Sequence, residues 1–261
     1  MLEGNILLWN RRGIVNLETQ CALVNIVQAK RPSIIFLSET LAQEAHIESL
    51  KRILGFQDSL CIDHGRESQG LALLWNSDTH VKLRTYSAHH IDVEVGKDGM
   101  DPWRFTGIYG FAGKDVRNCT WDLIEALALQ QCNLAWMMAG DFNEIMSNAD
   151  KSGGPPRASG GITKFRNTMT RCGLMDMGFV GSRFTWSNKF TKERLDIGFQ
   201  SPLWRSRFPY SRVVALNPSD FDHNPILVEV RSDCRLPNSV CIRFRFEEGW
   251  SGYVEAESII R

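Results

Sequence analysis

The sequence predicts a single α/β domain, and three observations carry that reading. Short apolar runs alternate with segments of helical periodicity, most of these runs leave a polar residue at their exit, and neither an internal repeat nor a second core interrupts the pattern. The length of 261 residues would allow two domains, but single α/β domains reach roughly 250 residues. The expected organisation is one domain over 1–232, followed over 233–261 by a connector or the start of a missing downstream region.

The elements follow in order. Ile6-Leu7-Leu8-Trp9 is continuous like a buried strand and ends at Asn10-Arg11-Arg12-Gly13. Leu17, Cys21, Val24 and Val27 then recur at helical spacing until Arg31-Pro32 stops them. Ser33 to Ser38 is a second buried strand that delivers Glu39, so the chain opens as βαβ. A helix over 42–54 comes next, then strands around 71–75 and 91–95, with Gly65 to Gly70 as a hairpin turn between Leu60 and Leu71. Residues 104–109 form a strand, 116–129 an amphipathic helix, and 135–139 an apolar strand opening into Gly140-Asp141-Phe142-Asn143. The Gly- and Pro-rich loop from Ser152 to Gly161 precedes a helix with Ile162, Phe165, Met169 and Cys172 inward. Strands at 184–187, 195–199, 213–216 and 226–230 complete the domain. No dinucleotide-binding glycine fingerprint occurs.

Composition limits the partners. The 30 Lys+Arg balance 30 Asp+Glu, which excludes a globally basic nucleic-acid coat and leaves any polyanion to a local patch. Hydrophobic residues at 43% and charged residues at 23% supply a large core. No apolar run approaches the roughly 18 residues of a membrane span, and Met1-Leu2-Glu3-Gly4-Asn5 lacks the regions of a signal peptide, so a soluble intracellular chain without a membrane partner is expected. Seven widely spaced cysteines without a Cys-x-x-Cys pair read as reduced, mostly core residues.

The chemistry lies where strands run out, at Asn10, Glu39, Tyr109, Asp141, Asn143, Asp196, Asp222 and His223. These carboxylates, amides, phenol and imidazole are the set that a Mg2+-assisted phosphodiester hydrolysis needs. Mg2+ takes few protein carboxylates and keeps waters for the substrate phosphate, so one or two acids such as Glu39 suffice. Taken singly, each has a plainer reading. Glu39 reads as a cap, Asp141 and Asn143 as turn residues, Tyr109 as a rim aromatic and His223 as a surface histidine. Position therefore has to carry the argument.

Seven motifs stand in order: Leu8-Trp9-Asn10, Phe36-Leu37-Ser38-Glu39-Thr40, Gly107-Ile108-Tyr109-Gly110, Gly140-Asp141-Phe142-Asn143-Glu144, Phe184-Thr185-Trp186-Ser187-Asn188, Arg194-Leu195-Asp196 and Asp222-His223-Asn224-Pro225-Ile226. Together they resemble the endonuclease/exonuclease/phosphatase superfamily over about residues 5–232. Gly70 to Trp75, the Phe-Thr-Trp-Ser-Asn run and Arg243-Phe244-Arg245-Phe246-Glu247-Glu248 resemble the endonuclease domain of plant non-LTR (LINE-type) retrotransposon polyproteins.

The resemblance implies a four-layer α/β sandwich of two packed mixed β-sheets flanked by helices, with the site along one edge. It implies that Glu39 and Asn10 bind Mg2+, with Mn2+ as a substitute, and that Asp222 lies beside the metal region. Asp141 would position or deprotonate water or serve the leaving oxygen. Asn143 would orient Asp141, Tyr109 would touch the phosphate, and Asp196 would pair with His223. DNA is then the substrate and a reverse transcriptase domain the downstream partner in the parent polyprotein. An active enzyme would work in the nucleus on genomic DNA.

Three positions depart from the pattern: Arg12 in place of a small or acidic residue, Ala112 in place of Asn, and Phe221 in place of Ser. Arg12 could bind phosphate and Phe221 could tilt its loop or stack on a base. They motivate an alternative, a catalytically decayed remnant that keeps the fold and nucleic-acid binding; a phosphatase on the same fold ranks last. Lys189, Lys192, Arg194, Arg205 and Arg207 could form a phosphate-tracking strip, but exposed charges usually only solvate a surface, which is the reading preferred for them.

Overall fold

The computed structural model describes residues 2–233 except 64, 66–68, 131–132 and 217–220. The expected connector from residue 234 onward lies outside the described residues, as do residues 66–68 of the expected 65–70 turn.

In chain order the elements begin with β1 (Leu2–Asn10), α1 (Leu17–Lys30), β2 (Ile34–Ser38), α2 (Glu44–Leu54), β3 (Asp58–Ile62), β4 (Leu71–Trp75), β5 (His80–Ser87), β6 (His90–Lys97), β7 (Met100–Tyr109), α3 (Asn118–Leu129) and β8 (Trp136–Asp141). They continue with β9 (Lys151–Ser152), α4 (Ser159–Arg171), β10 (Met175–Asp176), β11 (Val180–Gly181), β12 (Trp186–Ser187), β13 (Lys192–Glu193), β14 (Asp196–Gln200), α5 (Pro202–Arg207), β15 (Arg212–Ala215) and β16 (Ile226–Arg231). One sheet runs β11-β15-β16-β1-β2-β4-β3 and the other β10-β14-β8-β7-β6-β5, with a ribbon β12-β13-β9 beside them.

Side chains alternate across a strand, so one apolar run feeds two layers. Ile6 and Leu8 of β1 join Ile34 and Phe36 of β2 and meet Val93 and Phe105 of the second sheet in the central core. Leu7 and Trp9, one step away, face outward with Ile35 and Leu37 to receive Leu23 of α1 and Ile47 of α2. Ile108, Met138 and Phe199 do the same on the far face, against Trp121 of α3 and Phe165 of α4. The result is helix, sheet, sheet, helix, the predicted four layers. Gly107 permits the close approach of the sheets, because a Cβ there would meet the Phe36 ring at 2.4 Å.

Three expectations need correction. The spacing of α1 put Leu17, Cys21, Val24 and Val27 inward. The structure buries Thr19 and Leu23, with Ala22, Ile26 and Val27 partly covered, and leaves Leu17 75% exposed. The Asn16 side chain accepts from Thr19 N at 2.7 Å and Arg11 Nε donates to Thr19 Oγ1 at 3.0 Å, which fixes the helix start and draws Thr19 inward. The described cysteines are free, but Cys21 and Cys119 are exposed and Cys61 and Cys172 only partly buried, because they ride on outer helix faces, a helix end and an edge strand. The sequence reading also omitted β5, an edge strand whose mixed exposure gives no apolar run to detect.

Candidate active site

Strand direction gathers the site. β1 and β2 run parallel with Asn10 opposite Ser38, which places Asn10 beside the exit that carries Glu39. In the second sheet β7 and β8 run parallel with Tyr109 opposite Asp141. β14 starts where β8 ends, antiparallel, with Asp196 opposite Asp141. β16 is antiparallel to β1, with Ile226 opposite Leu8, so the loop before it delivers His223 to the same end. Ligand sites in α/β sheets lie outside carboxyl ends of strands for this reason.

The ribbon fixes the His223 loop. Trp186 and His223 form a β-bridge, Ser187 N donates to Asp222 O at 2.8 Å, and Asn224 N donates to Thr185 O at 2.6 Å. Thr185 Oγ1 in turn accepts from Leu195 N and Asp196 N at 3.1 and 3.0 Å. The Phe-Thr-Trp-Ser-Asn, Arg-Leu-Asp and Asp-His motifs are thus three parts of one clamp. From below, Trp9 Nε1 donates to His223 O at 3.0 Å.

Asn10 is the hub. Its Nδ2 donates to Glu39 Oε1 at 3.0 Å and Asp141 Oδ2 at 2.7 Å, and lies 3.3 Å from His223 Nε2. Tyr109 Oη donates to Glu39 Oε1 at 3.0 Å. His223 Nδ1 faces Asp196 Oδ2 at 3.0 Å, and Nε2 lies 3.8 Å from Asp141 Oδ2. Asn10, Asp141, Asp196 and His223 are all buried. Glu39 is a non-glycine residue at φ 53, a left-handed conformation that costs energy.

The electrostatics follow from this crowding. Burial pushes the Asp141 carboxyl up to about 6, against the pull of His223. Burial opposes a charge on His223, yet Asp196 and then Asp141 hold its imidazole up at about 9. Burial, with Glu39 and Asp141 beside it, raises the Tyr109 phenol, which stays a neutral donor.

Seven of the eight predicted residues are brought together; Asp222 is not. Its carboxylate turns outward, 41% exposed, to Arg11 at 3.7 Å and to the backbone N of His223. Asn143 is present but differently used. Its Nδ2 donates to Gly110 O at 2.8 Å, and its backbone N donates to Asp141 Oδ1 at 2.7 Å, so it orients Asp141 through the main chain. Arg11 lies over the Phe221 ring at 4.0 Å and Trp9 meets it edge-on. Arg12 lies with Nε 3.5 Å from Glu39 Oε2, its side chain 75% exposed.

Three of the five cations weighed as a phosphate-tracking strip are placed elsewhere. Arg194 is buried and spent on Asp176, with both contacts at 2.8 Å. Arg205 and Arg207 ride on α5, at the end of β14 opposite Asp196. Sequence reading missed Arg157, set in a loop that composition marked as irregular. Its Nη1 donates to Asn143 O at 2.7 Å and Glu144 Oε1 at 3.0 Å, and its Nε donates to Glu193 Oε1 at 3.0 Å. Glu193 lies three residues before Asp196, so Arg157 ties the Asp141 loop to the Asp196 strand. A lone arginine between Pro156 and Ala158 carries no sequence signal of that role.

A divalent ion fits the donor set. Asn10 Oδ1 is buried without a hydrogen-bond partner, and the amide that bears it touches Glu39. An oxygen-only pair with one carboxylate suits a hard cation that keeps most of its water. Among the described residues no group of three or more His, Cys, Asp or Glu could hold a metal. No described helix is long and apolar enough to cross a membrane.

A two-sheet sandwich with this set at one edge defines a hydrolytic nuclease or phosphatase class. Residues 9–229 match the endonuclease/exonuclease/phosphatase family, and the chain belongs to that family. No curated protein matches it. The endonuclease domain of TRAS1, a telomere-specific non-LTR retrotransposon, superposes with TM-score 0.66 at 14% identity, over 88% of this chain and 98% of that one. The 3'-5' exonuclease NExo from Neisseria meningitidis gives 0.65 at 20%, over 87% and 99%. The AP endonuclease LMAP from Leishmania major gives 0.68 at 16%, over 87% of both chains. These identities show a shared fold, the DNase/AP-endonuclease-like sandwich.

Proposed function

We propose that the chain is a Mg2+-dependent endonuclease of retroelement origin that nicks one DNA strand and leaves a 3'-hydroxyl. The observation that carries this is His223, held by Asp196 at 3.0 Å and facing Asp141 at 3.8 Å, with Asn10 joining Asp141 to Glu39. In the proposed reaction water adds to phosphorus, the P–O3' bond breaks, and a proton reaches O3', giving 3'-hydroxyl and 5'-phosphate ends. Asp141, aligned by Asn143 N, accepts the proton of the attacking water. His223, charged through Asp196, faces the phosphoryl oxygens and stabilises the charge that grows on them. Tyr109 holds Glu39 in place, and with Asn10 Oδ1 Glu39 would hold Mg2+, which when bound supplies Lewis-acid polarisation of the phosphate.

Residues beyond 233 would lead to the reverse transcriptase in the parent polyprotein, and the work would be nuclear. The likeness in fold to the TRAS1 domain supports a retroelement reading, and the similar 3' phosphatase NExo from Neisseria has been solved bound to a product DNA hairpin. The test is conversion of supercoiled plasmid to open circle with Mg2+ and with EDTA, followed by polymerase extension from the nick. Metal-dependent conversion with extendable ends is expected; equal conversion in both, or none in either, rejects the proposal.

One observation favours a second reading, a decayed remnant that binds nucleic acid. Arg12 approaches Glu39 Oε2 at 3.5 Å and competes for the same carboxylate. DNA binding that falls steeply with salt, without metal-dependent cleavage, would support it. Arg12→Ser would then restore nicking.

A further inference from the structure

Beside the catalytic loop lies a second cleft of about 730 Å³, walled by the starts of α3 and α4 and by the loop between β9 and α4. Lys114, Arg117, Lys151, Arg157 and Lys164 line it, against two carboxylates, Glu144 and Glu193. Both carboxylates are already neutralised. Glu144 takes Arg117 at 3.2 Å and Arg157 at 3.0 Å, while Glu193 takes Lys151 at 2.7 Å and Arg157 on its other side. Three cations thus serve two anions. Lys114 and Lys164 are exposed and have no acidic partner among the described residues. The cleft therefore keeps a positive surplus, and a concave wall of one sign focuses its field on an anion.

The cleft shares its wall with the site. Glu144 follows Asn143, whose carbonyl accepts from Arg157 at 2.7 Å and whose N–H holds Asp141. Trp121 and Pro156 give the lining an apolar part. A volume in the range of small-ligand pockets, with cations at the rim and apolar surface beneath, suits a sugar–phosphate unit better than a bare anion.

We propose that this cleft binds a backbone phosphate of the nucleic-acid strand to one side of the bond that is cut, with Lys114 and Lys164 as its cations. This rests on the nuclease reading and adds to it a subsite that sets how the strand lies across Asp141 and His223.

The test compares the full chain with the Lys114→Ala/Lys164→Ala variant, using labelled duplex DNA bound in EDTA across a potassium chloride series. Each phosphate contact contributes about 0.9 to the slope of log K against log salt. The variant is expected to lose about 0.9 of that slope and to bind more weakly, while its Mg2+-dependent hydrolysis of bis(4-nitrophenyl) phosphate, which has no flanking phosphates, stays unchanged. A control variant, Lys30→Ala/Arg205→Ala, removes the same charge at the other end of the sandwich and should keep the slope. An unchanged slope in the cleft variant, or an equal loss in the control, overturns the proposal. Loss of slope in a protein that hydrolyses nothing sinks the nuclease reading and leaves the cleft standing. Metal-dependent nicking with an unchanged slope does the reverse.

Discussion

The amide nitrogen of Asn10 lies 2.7 Å from Asp141 Oδ2, joining the last residue of β1 to the last residue of β8 across the two sheets. Asn10→Leu keeps the approximate volume and removes both donated hydrogen bonds. Nicking should fall roughly 100-fold, and stability by about 1–3 kcal/mol for the buried Asp141 Oδ2 left without its donor, since Glu39 Oε1 keeps Tyr109. Plasmid assays and urea midpoints measure the two effects; an unchanged rate would place Asn10 outside the machinery.

Asp196 acts through His223. Asp196→Asn should slow nicking roughly 10–100-fold alone and add almost nothing in a His223→Ala background, because groups that work as a unit are not additive. A full additive loss in the double variant would show two independent roles.

Arg157 is set against Glu144 and Glu193, whose side chains are 3% and 4% exposed. Arg157→Met removes the partner and leaves buried carboxylates, which should cost about 3–5 kcal/mol. Thermal melts of the purified chain would record it; a loss under 1 kcal/mol would mean that Arg117 and Lys151 suffice.

Stability should depend on His90. Burial lowers its pKa from 6.5 to about 4, Asp92 pulls upward, and Arg104 and His89 add to the lowering. Its nitrogens lie 3.0 and 2.7 Å from the Thr85 and Ser87 hydroxyls. Above pH 6.5 both folded and unfolded chains carry a neutral imidazole and the stability is complete. Between 6.5 and 4 the unfolded chain takes up a proton that the folded chain refuses, so stability falls with pH, by up to about 3 kcal/mol. Urea midpoints at pH 7 and pH 4.5 should differ less in His90→Gln than in the parent; an identical difference would remove His90 from the account.

Gly107→Ala would drive a methyl into the Phe36 ring at 2.4 Å. A loss of about 1–3 kcal/mol is expected, partly recovered by Phe36→Leu. Absence of any recovery would put the strain elsewhere.

What the sequence made legible was whatever buried strands produce. Leu7-Leu8-Trp9 and Phe36-Leu37 had to be strands because both faces are covered, and a parallel pair delivers Asn10 and Glu39 to one end. The face of α1 was misread because apolar spacing alone does not fix helix phase; the Asn16 cap and Thr19 do. The contact of Asp222 with Arg11 at 3.7 Å was not legible, since a motif does not show which side chains lie within reach. Arg157 stayed hidden because its three acceptors, the Asn143 carbonyl and the Glu144 and Glu193 carboxylates, come from segments up to 36 residues away, and only the fold brings them together.

The central claim is that Glu39 and His223, 184 positions apart in the chain, serve one hydrolytic site. Nicking rates of the parent, Glu39→Ala and His223→Ala, each confirmed folded by circular dichroism and assayed with Mg2+, test it most directly. Loss of at least about 100-fold in both variants is the expected result; a folded variant of either kind that nicks at the parental rate would contradict it.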